Sequence, residues 1–260
     1  MGTYFTVPFL AWVLAAPPVP AHSAPAKAPA EESQPAKPGF LRQLGGDFRR
    51  TFTSRDSLLI LGIGGGAALL ARPMDHRIPN SSFNSEPHEG TTLDHLFDPG
   101  AAVGDAPALG GASLGILAVG KLAGDQRLAA LGSDLVRSLI VSGSITQVLK
   151  LATHRERPDG SSQMSFPSGH ASASFAMATV AQGRYGPRVG VPAYCVAAWI
   201  AASRLNENKH YLSDVIFGAA VGIAAGRGVN LGHGSKRMTV APQVVPGGGA
   251  GVQFLMSGWP

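Results

Sequence analysis

The sequence predicts an all-α fold, a bundle of about six core helices of the kind that can embed in a membrane. Three observations lead there. The 260 residues are 45% hydrophobic but only 14% charged, with 34 Gly and 20 Pro, whereas an ordinary soluble domain carries roughly a quarter charged residues. Six uncharged windows, 58–71, 106–120, 138–149, 171–183, 189–203 and 215–226, are each long enough for a helix. Finally, polar motifs gather between residues 150 and 214, mostly at the ends of these windows. That layout brings polar side chains together at one end of a bundle.

Taken in order, residues 1–16 are mostly apolar and run into a Pro- and Ala-rich segment. A short apolar region ending near small residues reads as a secretory leader, expected to span 1–28. It has no Lys or Arg ahead of the apolar run, and Pro8 interrupts it, so a membrane-tethered N-terminus is the other reading. Residues 29–54 are expected to form a linker followed by a short amphipathic segment. Phe40, Leu41, Leu44, Phe48 and Phe52 alternate there with Arg42, Arg49 and Arg50, the pattern of a helix on a surface or against the main domain.

The main domain is expected at 55–228. None of its windows reaches the roughly 18 apolar residues of an unambiguous span. Several extend past a terminal cation that can snorkel to an interface. Gly62, Gly64, Gly65 and Gly66 disfavour a helix in water more than one in a membrane. Between windows, 72–105 is polar and reads as a long loop that covers a site or holds short helices. His76, His88 and His95 lie there with Asp75 and Asp94, but without the tight spacing of a metal site. Residues 229–260 form a Gly-rich tail, ending in a short extended strand or in irregular chain.

The formal charge is +5. No long basic stripe interleaved with aromatics accompanies it, which argues against a nucleic-acid partner, and the balance suits an anionic lipid surface. The single Cys195 permits no internal disulfide and is expected as a small buried hydrophobe.

The chemistry lies in three motifs. His210 and Asp214 are four apart, so on a helix they share one face. A carboxylate beside imidazole fixes its tautomer and leaves the other nitrogen free to attack or to ligate. Arg204, six residues earlier, offers a fork of donors to a phosphate. Pro167-Ser168-Gly169-His170 precedes a window and looks like a helix start, where exposed amides bind anions; His170 can give a proton to a leaving oxygen. Lys150 and Arg157 add positive charge suited to the equatorial oxygens of a transferring phosphoryl group. Each piece alone has an ordinary explanation: a Lys at a helix end, an Arg-Pro loop, a turn, a surface pair. Together they suit one oxyanion pocket.

These residues resemble the type 2 phosphatidic acid phosphatase superfamily, which also contains vanadium haloperoxidases and bacterial non-specific acid phosphatases. The signature is Lys-x6-Arg-Pro at Lys150 to Pro158, Pro-Ser-Gly-His at Pro167 to His170, and Ser-Arg-x5-His-x3-Asp at Ser203 to Asp214. Every internal spacing matches, and the resemblance covers about residues 55–228. It implies a phosphatase using no metal or cofactor and acting through a phospho-histidine. His210 would attack phosphorus, Asp214 would hold His210, and His170 would protonate the leaving group. Lys150, Arg157 and Arg204 would bind the phosphoryl oxygens with Ser168 and the Gly169 amide.

Membrane members of this superfamily act on lipid phosphates or polyprenyl diphosphates, and soluble periplasmic members act on many phosphomonoesters. The charge deficit, the Gly-rich windows and their count favour a membrane form in a bacterial envelope, with the site facing the periplasm or exterior. The short windows, Arg137 and the leader favour a soluble periplasmic acid phosphatase. A haloperoxidase, with His210 on vanadate, and a non-catalytic scaffold are the remaining classes. The expected partners are the lipid substrate and the membrane; the sequence gives no oligomeric state.

Overall fold

The computed structural model describes residues 38–75, 92–232, 237–245 and 249–257. The expected leader and nearly all of the linker lie outside the described residues, as do His76 and His88. All six windows are helices. They are α2 (Arg55–Ala71), α4 (Ala106–Leu122), α5 (Gln126–Thr153), α6 (Gly169–Tyr185), α7 (Pro187–Asn206) and α8 (Leu212–Leu231). The amphipathic segment is α1 (Phe40–Thr53), and the expected loop contains α3 (Thr92–Val103). The tail forms an antiparallel hairpin of β1 (Arg237–Val245) and β2 (Gly249–Ser257), pairing Arg237 with Ser257 and Val245 with Gly249.

Helix α5 begins well before its uncharged window. Asp125 caps it, its carboxylate accepting from the Arg127 and Leu128 amides at 2.8 and 3.1 Å, which satisfies donors that the first turn leaves free. Asp134 and Arg137 then point inward and pair at 2.6 Å. Charges that mark a boundary in the sequence therefore lie in the middle of a helix.

Residues Arg55–Met74 (α2 and the turn after it), α5 and α8 are long and apolar enough to cross a membrane; the bent pair Leu96–Val103 with Ala106–Leu122 makes up to four. Leu58, Leu59, Ile63, Leu69 and Leu70 on α2, and Val148 and Leu151 on α5, stand exposed. Large apolar side chains facing outward along a helix find their solvent in lipid. The protein is a membrane protein. Cys195, expected as a buried hydrophobe, is exposed, beside the exposed Val191 and Val196 on the same outward side of α7.

The core is built on close backbone approach. Gly218, Gly222 and Gly226 recur every fourth residue along α8 and face α6. A Cβ at Gly218 would lie 2.5 Å from the Ser168 carbonyl oxygen, and one at Gly222 would lie 2.2 Å from that of Ser172. On another side of α8, Gly64 of α2 meets Ala220 with the same intimacy. Small residues at four-residue spacing are how helices pack where no hydrophobic effect drives them together.

Because α5, α6, α7 and α8 alternate in direction, the bundle has two distinct ends. One holds the end of α5 and the starts of α6 and α8, hence the sequence motifs. The other holds a buried ion network about 20 Å away along α5, at about 1.5 Å per residue. There Arg137 lies between Asp134 at 2.6 Å and Asp47 of α1 at 3.0 Å. Arg184 of α6 donates its Nε to Asp134 at 2.5 Å, and Arg50 of α1 donates to the Gly228 carbonyl at 2.8 Å. These contacts fasten α1 to the bundle.

Candidate active site

Three short segments meet at the motif end. The first follows α5. Lys150, in its last turn, donates its ammonium to the Met164 carbonyl. His154 ends the helix in the left-handed region (φ 44°), its amide bonded to the Lys150 carbonyl. The chain then folds back on itself: the Arg157 amide donates to Ser162 at 3.0 Å and the Ser165 amide to Arg155 at 2.9 Å.

The second segment starts α6. Ser168 is its N-cap, and the hydroxyl accepts from the Ala171 amide at 3.4 Å. Gly169 opens the helix, where the first amides have no intrahelical acceptor. The Ser168 amide donates to the Asp214 carbonyl at 3.0 Å, which ties this turn to α8. His170 is half-buried under the corner between α3 and α4, its Nε2 3.2 Å from the Ala101 carbonyl oxygen and 3.8 Å from the Asp105 carboxylate. Gly104 is required there, since a Cβ would sit 2.2 Å from Ile200 and 3.0 Å from the His170 ring.

The third segment joins α7 to α8. Arg204, in the last turn of α7, donates to Glu207 at 2.8 Å. Its carbonyl accepts from the Lys209 and His210 amides, folding the loop back over the helix end. Lys209 pairs with Asp159 at 2.6 Å, linking this loop to the one after α5.

His210 and Asp214 come together, but not as two residues on one helix. His210 lies just ahead of Tyr211, the N-cap of α8, while Asp214 is in its first turn. The Asp214 Oδ2 accepts from the Tyr211 amide at 2.9 Å and from Ser165 Oγ at 2.5 Å. His210 Nδ1 is 3.7 Å from that same oxygen, an ion-pair distance rather than a hydrogen bond. Both side chains are almost wholly buried.

Electrostatics unite the segments. Burial pushes the His210 imidazolium pKa down against the pull of Asp214, and Lys150 and Arg157 push the same way. His170 is lowered to about 4, first by burial and then by Arg204, with His210 adding to the effect. Both shifts favour the neutral ring. Among the described residues, Arg157 Nε, Arg204 Nε and His210 Nδ1 are buried with no hydrogen-bond partner. Such groups are costly unless something satisfies them. An anion between Lys150, Arg157 and Arg204 would do so for the two guanidinium groups. The structure thus brings Lys150, Arg157, Ser168, Gly169, His170, Arg204, His210 and Asp214 to one end of the bundle.

The structure adds residues that the sequence reading passed over. Arg155 donates to Asp214 Oδ1 at 2.6 Å and to Asp75 at 2.7 Å. Asp75, weighed in the sequence only as a metal ligand, instead bonds Arg155 and Ser213. The signal for Arg155 was its place between Lys150 and Arg157; no sequence signal links Asp75 to residues so far along the chain.

Residues 132–237 match the family model described as the PAP2 superfamily. Among curated proteins, the lipid A 1-phosphatase of Porphyromonas gingivalis is 41% identical over 100 residues, 37% of this chain. The chain covers only 21% of that relative's length. Among solved structures, LpxE of Aquifex aeolicus is similar with a TM-score of 0.45 at 22% identity, covering 62% of this chain and 94% of that one. A transmembrane PAP2-type phosphatidylglycerolphosphate phosphatase from Bacillus subtilis has a TM-score of 0.47 at 18% identity, covering 73% and 92%. All three motifs lie inside the segment that matches the PAP2 superfamily model, and the fold gathers them at one end of the bundle.

Proposed function

We propose that the protein is a phosphatase that hydrolyses a lipid phosphate through a phospho-histidine on His210. The observation that carries this reading is that Lys150, Arg157 and Arg204 lie at the same end of the bundle as the buried His210, whose Nδ1 is 3.7 Å from the Asp214 carboxylate. A neutral His210 offers a lone pair to phosphorus, and the phosphorus–oxygen bond to the lipid breaks. The leaving oxygen takes a proton from His170. Water then attacks the phospho-histidine, His170 accepts the water proton, and inorganic phosphate departs. Lys150, Arg157, Arg204, Ser168 and the Gly169 amide hold the equatorial oxygens, where charge develops. Asp214 stabilises the imidazolium character that His210 acquires.

The lipid class is inferred from the spans and from the curated relative, whose name makes a lipid A 1-phosphate the first substrate to try. A polyprenyl diphosphate is the next. In this reading residues 55–228 form the phosphatase domain, 1–28 a leader, 29–54 a linker and an interfacial helix, and 229–260 an appended tail.

The charge asymmetry of the bundle supports an outward-facing site. The end opposite the pocket carries Arg42, Arg49, Arg50 and Arg55, then Lys121 and Arg127, Arg184 and Arg188, and Arg227, against few carboxylates. Cations flanking spans stay on the cytoplasmic side, which leaves the pocket on the periplasmic side.

The test is phosphate release by the purified protein in detergent, with lipid A 1-phosphate, phosphatidic acid, undecaprenyl diphosphate and para-nitrophenyl phosphate as substrates and His210→Ala as control. Preferential release from a lipid, abolished in His210→Ala, is the expected result. No release from any substrate by folded protein would overturn the reading.

A further inference from the structure

Behind the His210–Asp214 pair lies a second buried unit. Arg155 donates Nη1 to Asp214 Oδ1 at 2.6 Å and to Ser213 Oγ at 2.7 Å, and Nη2 to Asp75 Oδ2 at 2.7 Å. Asp75 in turn accepts from the Ser213 amide at 3.0 Å and from its hydroxyl at 2.6 Å. The Arg155 guanidinium also lies 4.2 Å from the centre of the Tyr211 ring, a cation–π distance. Asp75 and Asp214 have no exposure at all. Two buried carboxylates thus share one guanidinium, whose planar fork bridges them.

We propose that Arg155, held by Asp75, is a positioning residue for the His210–Asp214 pair. The proposal rests on the phosphatase reading for its kinetic consequence, though not for its geometry. Arg155 does not bond to His210 and is not one of the cations around the phosphate site. It binds the Asp214 oxygen opposite the one that faces His210. Its other side lines a separate cavity of about 490 Å³ with Arg72, Thr153, Phe166 and Phe217. The order of contacts runs from the end of α2, through Asp75, Arg155 and Asp214, to His210. Each contact removes a freedom from the carboxylate that must orient the imidazole. Tyr211 and Ser165 hold Oδ2 while Arg155 holds Oδ1, so the contacts on both oxygens together set the rotation of the carboxylate. Removing Arg155 would leave two carboxylates buried without their shared cation, an arrangement in which one of them takes up a proton. A protonated Asp214 no longer enforces the tautomer that His210 needs.

The experiment compares Arg155→Met, Arg155→Lys, Asp75→Asn and the double variant Arg155→Met/Asp75→Asn in full-length protein in detergent. Phosphatidic acid and para-nitrophenyl phosphate are the substrates, and vanadate is the probe of the phosphate site. The expected result for Arg155→Met is a kcat on the order of 10²-fold lower, the size usual for a partner one step from the reacting group. KM and the vanadate inhibition constant should stay within about 3-fold, because the cationic cradle is untouched. Arg155→Lys recovers part of kcat. The double variant exceeds Arg155→Met, since it removes the stranded Asp75 charge. Nitrogen-15 NMR of the His210 ring, assigned by its loss in His210→Ala, is expected to show one Nδ1-protonated tautomer in the parent and a mixture in Arg155→Met.

A folded Arg155→Met with kcat within about 3-fold of the parent and an unchanged ring spectrum would overturn the proposal. So would parallel loss of kcat and vanadate binding, which marks a merely structural role. Should Arg155→Met not fold, Arg155→Lys and Asp75→Asn make the same comparison. If the parent releases no phosphate, the phosphatase reading fails, and the ring spectrum alone decides whether Arg155 positions His210.

Discussion

His170 depends more than any other residue on what fills the pocket. Burial and Arg204 hold its pKa near 4, which favours the neutral ring at neutral pH. A phosphoryl dianion beside it favours the charged ring and raises that value. As the acid His170 works protonated, so kcat should fall as pH rises through the raised value, and His170→Ala should remove that alkaline limb. The variant should lose roughly 10²- to 10⁴-fold in turnover of a lipid, whose alkoxide leaves only with a proton. It should lose far less with para-nitrophenyl phosphate, whose leaving group needs none. Equal losses on both substrates, read from kcat–pH profiles, would remove His170 from the acid role. At this scale the sequence singled out the motif residues that the fold gathers at one end of the bundle, because their spacing is local and their chemistry distinctive. It did not show Arg155 and Asp75. Their pairing is a product of the fold, between residues 80 positions apart, and an Arg beside Arg157 looks like one more loop cation.

Among the elements, the seam between α6 and α8 sets the pocket. Ser168 and His170 lie at the start of one helix and Asp214 at the start of the other, so helix separation becomes separation of Ser168 and His170 from the His210–Asp214 pair. Gly222→Ala would place a methyl 2.2 Å from the Ser172 carbonyl. Overpacking of this kind costs about 1–3 kcal/mol. The expected outcome is a lower thermal midpoint in detergent together with reduced kcat. Gly66→Ala, with open space around its Cβ position, is the matched control and should be neutral or slightly stabilising. A Gly222→Ala protein as stable and active as the parent would show that the seam has slack. The helices themselves were legible in six apolar windows. The start of α5 was not, because Asp134 and Arg137 look like a boundary until their partners on α1 and α6 are seen. The start of α8 also escaped: four-residue spacing suggested that His210 and Asp214 share one helix, whereas His210 precedes it.

For the molecule as a whole, the proposed topology sets the pocket on the periplasmic side of a membrane and the ion network on the cytoplasmic side. In a Cys195→Ala background, Ser161→Cys lies in the loop beside the pocket and Ser54→Cys lies between α1 and α2, at the opposite end. A membrane-impermeant maleimide on cells with a permeabilised outer membrane should label the first. It should label the second only after the inner membrane is opened. The reverse pattern would invert the orientation. The composition had signalled the membrane through its missing charges, whereas the charge asymmetry behind the proposed orientation emerged only when the fold showed which helix ends lie together.

The most direct test of the account is a rapid-quench search for phosphate bound to protein during turnover of a labelled phosphatidic acid. The account predicts an acid-labile, base-stable phosphoryl group on His210, formed and consumed at the rate of turnover, absent in His210→Ala and accumulating when the second step is slowed. Steady phosphate release with no label on His210, or label on another residue, would contradict it.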